Sequence, residues 1–270
     1  VGCKTGRERF AGATNTYTLE GMMGDGKALQ MGTSHELGQN FARAFDITYT
    51  SAAGGVEHAW TTSWGTSTRM VGGMIMTHGD DNGLRVPPKL APVQAHVMVV
   101  KTGGAREADG EAGNGVIEAA AKLRDELRDA GVRVGFDDRV DIPFGRRAVD
   151  AELKGYPVRL EVGPRDLNAG NVVLVRRLDG SKRPVPLAEA PPAVLASLQA
   201  DQQALYDEAL TLRERRTVAV RTLEEAIEAA ATGWARVPWS AVGIEGEAAA
   251  NGAGVTVRCL VREDGSVPES

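Results

Sequence analysis

Cysteine is almost absent, and the two that occur, Cys3 and Cys259, lie at opposite ends of the sequence. Neither has a second thiol or a histidine at ligand spacing nearby, so no disulfide framework and no zinc site can be read, and reduced structural thiols are expected. Long apolar runs are missing too. None approaches the roughly 18–20 residues that a membrane-crossing helix needs. The opening Val-Gly-Cys-Lys-Thr-Gly-Arg lacks the basic-then-apolar order of a secretory signal, which makes the cytoplasm the expected location, with no membrane partner. A dominant charge of one sign is also lacking: 31 Lys and Arg face 36 Asp and Glu, for a net charge of −5. That balance does not announce a nucleic-acid binder, although a whole-chain value can hide a local patch. Between Gly131 and Pro186 the sequence has 11 Lys and Arg against 8 Asp and Glu, a stretch that could face phosphates or form a balanced solvated surface. Internal repeats and low-complexity tracts are likewise missing. What remains is an ordinary globular composition, 42% hydrophobic and 25% charged over 270 residues, enough for two or three domains with separate cores.

The clearest border is Val86-Pro-Pro-Lys-Leu-Ala-Pro92, where adjacent prolines oppose both helix and ladder pairing. Before it, Thr14–Leu19 and Lys27–Gly32 read as strands around the turn Met-Gly-Asp-Gly. The apolar spacing Leu37, Phe41, Ala44, Phe45 predicts a helix over 35–45, and Met70–His78 reads as a buried, closely packed segment. After the border, strands at Ala95–Val100, Val132–Phe136, Val158–Val162 and Asn171–Arg177 alternate with helices at 116–127, closed by Gly131, and 146–153. That alternation indicates an α/β layer with a mixed or parallel sheet. Pro184, Pro186, Pro191 and Pro192 precede a long helix from Ala193 to about Arg216. The tail, with a helix at Leu223–Ala231 and the segment Trp234–Trp239, reads as a further small α/β unit.

Four polar stretches could carry chemistry. In Gln30-Met-Gly-Thr-Ser-His-Glu-Leu-Gly-Gln39 a polar run ends a strand and abuts an amphipathic segment, so its side chains could point into a cleft; Thr33, Ser34 and Glu36 could equally cap a helix. Ser63-Trp-Gly-Thr-Ser-Thr-Arg69 joins a glycine turn to hydroxyls and a guanidinium, groups that hold anions, without being a Walker loop. An ordinary capped helix with a surface arginine would look the same. His78-Gly-Asp-Asp-Asn-Gly83 offers an imidazole and two carboxylates, the raw material of a hydrolytic metal site, but these residues are also those that turns demand. In the stretch Glu152–Asp166, the side chains of Glu152, Arg159, Arg165 and Asp166 could gather at one edge. Arginine there suits guanine and carboxylates suit amino donors, unless the four pair among themselves.

Taken in order, these stretches resemble prolyl-tRNA synthetase. The resemblance rests on Gly-Thr-Ser-His-x-Leu-Gly-Gln-Asn-Phe at Gly32–Phe41, Ser-Trp-Gly-x-x-x-Arg at Ser63–Arg69, His-Gly-Asp-Asp-x-Gly-Leu-x-x-Pro-Pro at His78–Pro88, and the run Glu152–Asp166. It covers essentially the whole chain and is most diverged near the end, where it looks like the archaeal and eukaryote-like form found in some actinobacteria. It implies an α+β catalytic domain with a class II antiparallel sheet, present here in part over residues 1–92. An α/β anticodon-binding domain over 93–188 and a small α/β C-terminal domain over 189–270 are implied to follow. The implied reaction activates L-proline with ATP and Mg²⁺ to prolyl-adenylate and transfers it to tRNA(Pro), chemistry of positioning and charge stabilisation rather than of acid and base.

By position in the matching motifs, Arg69 resembles the catalytic arginine of motif 3 that pairs with the ATP γ-phosphate, and Gln30, Thr33 and Ser67 resemble nucleotide contacts. His35 and Trp64 resemble walls of the proline pocket, and Thr18 and Glu20 lie on the strand that presents a threonine and an acid to the substrates. Glu152, Arg159, Arg165 and Asp166 resemble the readers of the two anticodon guanines. Motifs 1 and 2 are not seen and are expected upstream of Val1, so the chain is read as a fragment that is not active alone. The zinc cysteine cluster of many relatives is not seen, so no zinc is expected, nor is the family's C-terminal tyrosine. A homodimer is implied by the resemblance. A sister enzyme for threonine, glycine or histidine, a catalytically silent tRNA-binding relative, and a metal hydrolase built on His78, Asp80 and Asp81 stand as alternatives.

Overall fold

The computed structural model describes residues 1–101 and 111–268, with the side chains of 111–114 outside the description. Two compact units emerge: residues 1–77 with 210–270, and residues 78–209.

The first unit is built on an antiparallel sheet of four strands in the order β1-β2-β3-β6. Its strands are β1 (Gly2–Cys3), β2 (Asn15–Met22) and β3 (Ala28–Gly38), then, beyond the short helix α1 (Asn40–Ala44) and a hairpin of β4 (Thr48–Thr50) with β5 (Val56–His58), the edge strand β6 (Thr61–Thr66). The helix expected over 35–45 is therefore shorter and later. Thr33 to Glu36 pair on both sides, with β2 and with β6, and this two-sided ladder overrides the apolar spacing of Leu37, Phe41 and Phe45. Helix α2 (Arg69–His78) occupies the run read as buried. Of its residues only Gly73 is buried, because a side chain there would run into Met31 and Leu29, while Met70, Val71, Ile75 and Met76 remain exposed.

The second unit carries a mixed five-stranded sheet in the order β11-β10-β9-β7-β8. Strands β7 (Ala95–Val99), β8 (Val134–Asp137) and β9 (Val158–Val162) run parallel around helices α3 (Glu111–Asp129) and α4 (Phe144–Leu153). After the one-turn helix α5 (Pro164–Asn168), strands β10 (Asn171–Arg176) and β11 (Lys182–Pro186) are added antiparallel. Alternation along β9 sends Val158, Leu160 and Val162 into the core against Val116, Ala120, Leu123 and Leu127 of α3. It leaves Arg159 and Glu161 on the opposite face. Helix α6 (Ala190–Arg215) adds Ala190, Val194 and Leu198 to that core. Pro191 and Pro192 sit in its first turn, where a missing N–H leaves no bond unmade.

The second segment of the first unit comprises β12 (Thr217–Ala219) and its parallel partner β13 (Trp234–Arg236), with α7 (Leu223–Ala229) between them and α8 (Trp239–Gly252) after them. Thr222 opens α7 with a capping box, its hydroxyl accepting from the Glu225 N–H while the Glu225 carboxylate accepts from the Thr222 N–H. The chain ends meet here, with Cys3 and Leu260 exchanging backbone hydrogen bonds of 2.9 and 2.7 Å. Cys3 and Cys259, remote in sequence, are thereby neighbours in space, and both are free thiols.

Candidate functional site

Strand register decides which of the first unit's polar side chains share a face. Thr16 pairs with His35 and His35 with Ser63, while Thr18 pairs with Thr33 and Thr33 with Gly65, so Thr16, Thr18, Thr33 and His35 line one face. A bulge in the β2–β3 ladder lets Met31 step out of register and turns Gln30 to that same face, opposite Glu20. The side chains there form a chain of bonds. The Gln30 amide donates to Thr18 Oγ1 at 3.3 Å, and the Thr18 hydroxyl donates to Glu20 Oε1 at 2.7 Å. Thr18 is 1% exposed. The imidazole of His35 meets the Thr16 hydroxyl at 3.0 Å through Nδ1 and lies against the Phe10 ring, centroids 4.7 Å apart.

Glu20 is the electrostatic anchor of this face. Lys4 Nζ donates to its Oε1 at 3.0 Å, and Arg258 grips Oε2 through Nε and Nη2 at 3.0 and 2.7 Å, with the Glu20 and Lys4 side chains only 3% and 4% exposed. Burial alone would raise the carboxyl of Glu20. Hydrogen bonds from Thr18, Arg258 and Lys4 more than offset it and hold the group below its ordinary value. Both oxygens being engaged, Glu20 acts as a fixed anion within the fold and offers no open ligand position. Nothing in the sequence flagged Lys4, Arg258 or Phe10, because their role arises only when distant segments meet; a lone Arg-Phe dipeptide and two isolated cations carry no local signature.

Arg69 begins α2, and its Nη1 reaches the Gln30 carbonyl at 3.4 Å, bringing the guanidinium to the bulged end of this face. The Ser67 hydroxyl accepts from the Arg69 N–H at 3.3 Å, as a cap of the helix start. Trp64 is not part of the gathering. It pairs with Ser34, which directs it to the opposite face from His35, and it is 78% exposed on the edge strand. Thr18, Glu20, Gln30, Thr33 and His35 thus share one face of the sheet, Arg69 reaches the Gln30 carbonyl at its end, and Trp64 lies on the other face.

The second constellation lies in the other unit. Arg159 of β9 donates to Glu161 Oε1 through Nε and Nη2 at 3.1 and 2.8 Å, and Lys182 Nζ approaches the same carboxylate at 3.5 Å. Mutual pairing among the four expected tRNA readers does not occur: Arg159 takes Glu161, while Glu152, Arg165 and Asp166 form no side-chain hydrogen bond among the described residues. Glu152 lies in the last turn of α4, and Arg165 and Asp166 lie in α5. On the same face as Arg159, its register partner His96 lies against the Tyr156 ring with centroids 4.8 Å apart. Burial is the main cause that pushes the His96 imidazole down to about 4.

The segment His78–Gly83 forms a turn in which Asp80 and Gly83 exchange backbone bonds of 3.0 and 3.1 Å and the Asn82 N–H donates to Asp80 Oδ1 at 2.9 Å. Its carboxylate is taken by Arg177, at 3.0 and 2.5 Å. Among the described residues no group of three or more His, Cys, Asp or Glu side chains could hold a metal ion, and no helix is long and apolar enough to cross a membrane.

Known proteins resemble this chain in sequence. Residues 94–197 match the anticodon binding domain family. The chain is 60% identical to a proline–tRNA ligase of Frankia casuarinae, covering 100% of this chain and 56% of that protein. It is 55% identical to proline–tRNA ligase 2 of Streptomyces avermitilis, over 99% of this chain and 55% of that protein. A chloroplastic and mitochondrial proline–tRNA ligase of Arabidopsis thaliana is 42% identical over 96% of this chain and 48% of its own length. The chain thus spans about half the length of the curated relatives it matches. Similarity at this level runs along the whole chain and is to proline–tRNA ligases, with a match to the anticodon binding domain family inside the mixed α/β second unit.

Proposed function

We propose that this chain is part of an ATP-dependent prolyl-tRNA synthetase, which activates L-proline to prolyl-adenylate and transfers it to tRNA(Pro). Residues 1–92 are assigned to the class II catalytic domain, 93–188 to the anticodon-binding domain and 189–270 to a C-terminal domain. The observation that carries the reading is the convergence of the Arg69 guanidinium on the strand that holds Gln30, Thr33 and His35. A guanidinium beside hydroxyl and amide groups on a sheet floor suits the phosphates and ribose of a nucleotide, which need preorganised donors rather than proton transfer. In this reading Arg69 meets the γ-phosphate, while Gln30, Thr33 and Ser67 contact the nucleotide. His35 and Thr18 border the proline site with Glu20 fixing Thr18 from behind, and Trp64 is assigned to that site by its place in the motif. Mg²⁺ would enter on the ATP phosphates, since Glu20 has no open oxygen; zinc plays no part. Glu152, Arg159, Arg165 and Asp166 contact the anticodon, and the enzyme works as a homodimer in the cytoplasm.

The test is pyrophosphate exchange into ATP by the full-length ligase. Proline is expected to drive exchange, and Arg69→Ala to reduce it by at least about 100-fold, the scale on which a single charge-stabilising donor acts in a transition state. Exchange driven by threonine, glycine or histidine instead, or an Arg69→Ala enzyme of full activity, overturns the assignment.

A further inference from the structure

The His78–Gly83 segment is left without a role by the reading above, and its surroundings supply one. We propose that Asp80 and Arg177 are a positioning pair that holds Glu152 for reading the anticodon; this rests on the assignment of Glu152 as a tRNA contact.

Arg177 follows β10, its N–H bonded to the Pro157 carbonyl at 2.9 Å, and its side chain is 8% exposed. Nη1 and Nη2 grip the two oxygens of Asp80 at 3.0 and 2.5 Å, and Nε donates to the Glu152 carbonyl at 3.2 Å. A guanidinium is planar, so a bidentate grip on Asp80 fixes the direction in which Nε points. That direction is the last turn of α4, where the Glu152 carbonyl also accepts from the Gly155 N–H at 2.9 Å and faces a favourable positive charge. Asp80 is itself immobilised by the turn that its own main chain and Oδ1 close with Gly83 and Asn82. Arg177, through its hydrogen bonds, holds the Asp80 carboxyl below the usual range, so the pair stays charged.

The same segment secures the backbone on the other side of Glu152. Leu84 N–H donates to the Leu153 carbonyl at 3.1 Å and Val86 N–H to the Gly155 carbonyl at 3.3 Å. Gly155 has φ of +69°, and any side chain there would strike the Leu84 carbonyl, so the connector lies directly on the helix end. The result is an asymmetry at Glu152: its main chain is bound through Arg177 and bracketed by Leu84, yet its half-buried carboxylate makes no hydrogen bond among the described residues. A fixed backbone beneath an unengaged acceptor is what recognition of a base amino group requires. It also argues against a metal at Asp80, because both of its oxygens are already occupied by Arg177.

The experiment is charging by the full-length ligase of a tRNA(Pro) transcript and of one with a single anticodon guanine replaced, read as the ratio of kcat/KM values. Proline-dependent pyrophosphate exchange, which needs no tRNA, runs alongside as the control for folding. Glu152→Gln, Asp80→Asn and Arg177→Lys are each expected to reduce the ratio by about tenfold, the factor that one hydrogen bond to a charged group supplies. Asp80→Asn added to Glu152→Gln is expected to cost nothing more, and exchange by Asp80→Asn and Arg177→Lys to stay at the unmodified level. If Glu152→Gln loses discrimination while Asp80→Asn and Arg177→Lys keep it, the positioning role is overturned and the assignment of Glu152 stands. If Glu152→Gln discriminates normally, both fall. A loss of exchange by Asp80→Asn and Arg177→Lys with the ratio unchanged makes the pair merely structural and overturns the proposal as well.

Discussion

Removing the charge of Glu20 leaves Lys4 buried with one carbonyl partner, the Arg258 oxygen at 2.8 Å, and leaves Arg258 without its carboxylate. Breaking a buried pair on one side costs more than the pair's net worth, so Glu20→Gln is expected to destabilise the first unit by about 3 kcal/mol, read from its denaturant midpoint. Because the folded-state value of Glu20 lies below the unfolded one, its stabilisation is complete above the ordinary carboxyl range and is lost as acid carries the pH through the lowered value. The Gln variant should therefore lose less on acidification than the parent. His96 acts at milder pH. Burial lowers it from 6.5 to about 4, against a smaller upward pull from Asp137, so the unfolded chain binds more protons across that interval. The second unit should keep its full stability above about pH 6.5 and lose up to about 3 kcal/mol as the pH falls to about 4. His96→Gln should flatten that decline in denaturant titrations followed by far-UV circular dichroism. At this scale the sequence was legible where motifs are local. Gln30, Thr33 and His35 share one strand face and Arg69 reaches the Gln30 carbonyl, whereas Lys4, Arg258 and Arg177 depend on partners 16 to 238 positions away, which no local pattern encodes.

Among the elements, those of the second unit follow most directly from composition. The strand read at Val158–Val162 coincides with β9, and the helices at 116–127 and 146–153 lie within α3 and α4, because aliphatic β-branched runs alternate there with well-separated amphipathic segments. The first unit was harder to read, since Thr33–Glu36 are polar residues whose strand state is set by neighbours on both sides rather than by propensity. Met70–Met76 was harder for the opposite reason: its continuous apolar run reads as core, yet α2 buries little beyond Gly73. The capping box of α7 offers a clean check on local coding. Thr222→Ala removes the acceptor for the Glu225 N–H at 3.2 Å and should cost about 1 kcal/mol in the first unit. Thr222→Asp, which keeps an acceptor at that site, should restore most of it, and equal losses in both variants would show that the cap contributes nothing.

At the scale of the whole molecule, the first unit is discontinuous and the second is not. Residues 1–77 need 210–270, because Arg258 secures Glu20 and Glu247 accepts from the Thr5 hydroxyl at 2.7 Å in a buried site. Residues 78–209 need no such complement: the core cluster of their sheet is drawn entirely from Ala95 to Leu198. Independent cores predict separable unfolding. All four tryptophans, Trp60, Trp64, Trp234 and Trp239, belong to the first unit, so fluorescence follows that unit alone while circular dichroism follows both. Glu20→Gln should therefore shift the fluorescence transition to lower denaturant and leave a second, unshifted transition visible only by circular dichroism. Deleting 247–270, which removes both Glu247 and Arg258, should abolish the fluorescence transition and preserve the other. Coincident transitions that move together in either variant would mean that the chain unfolds as one cooperative body, and the division of its stability between two cores would have to be abandoned.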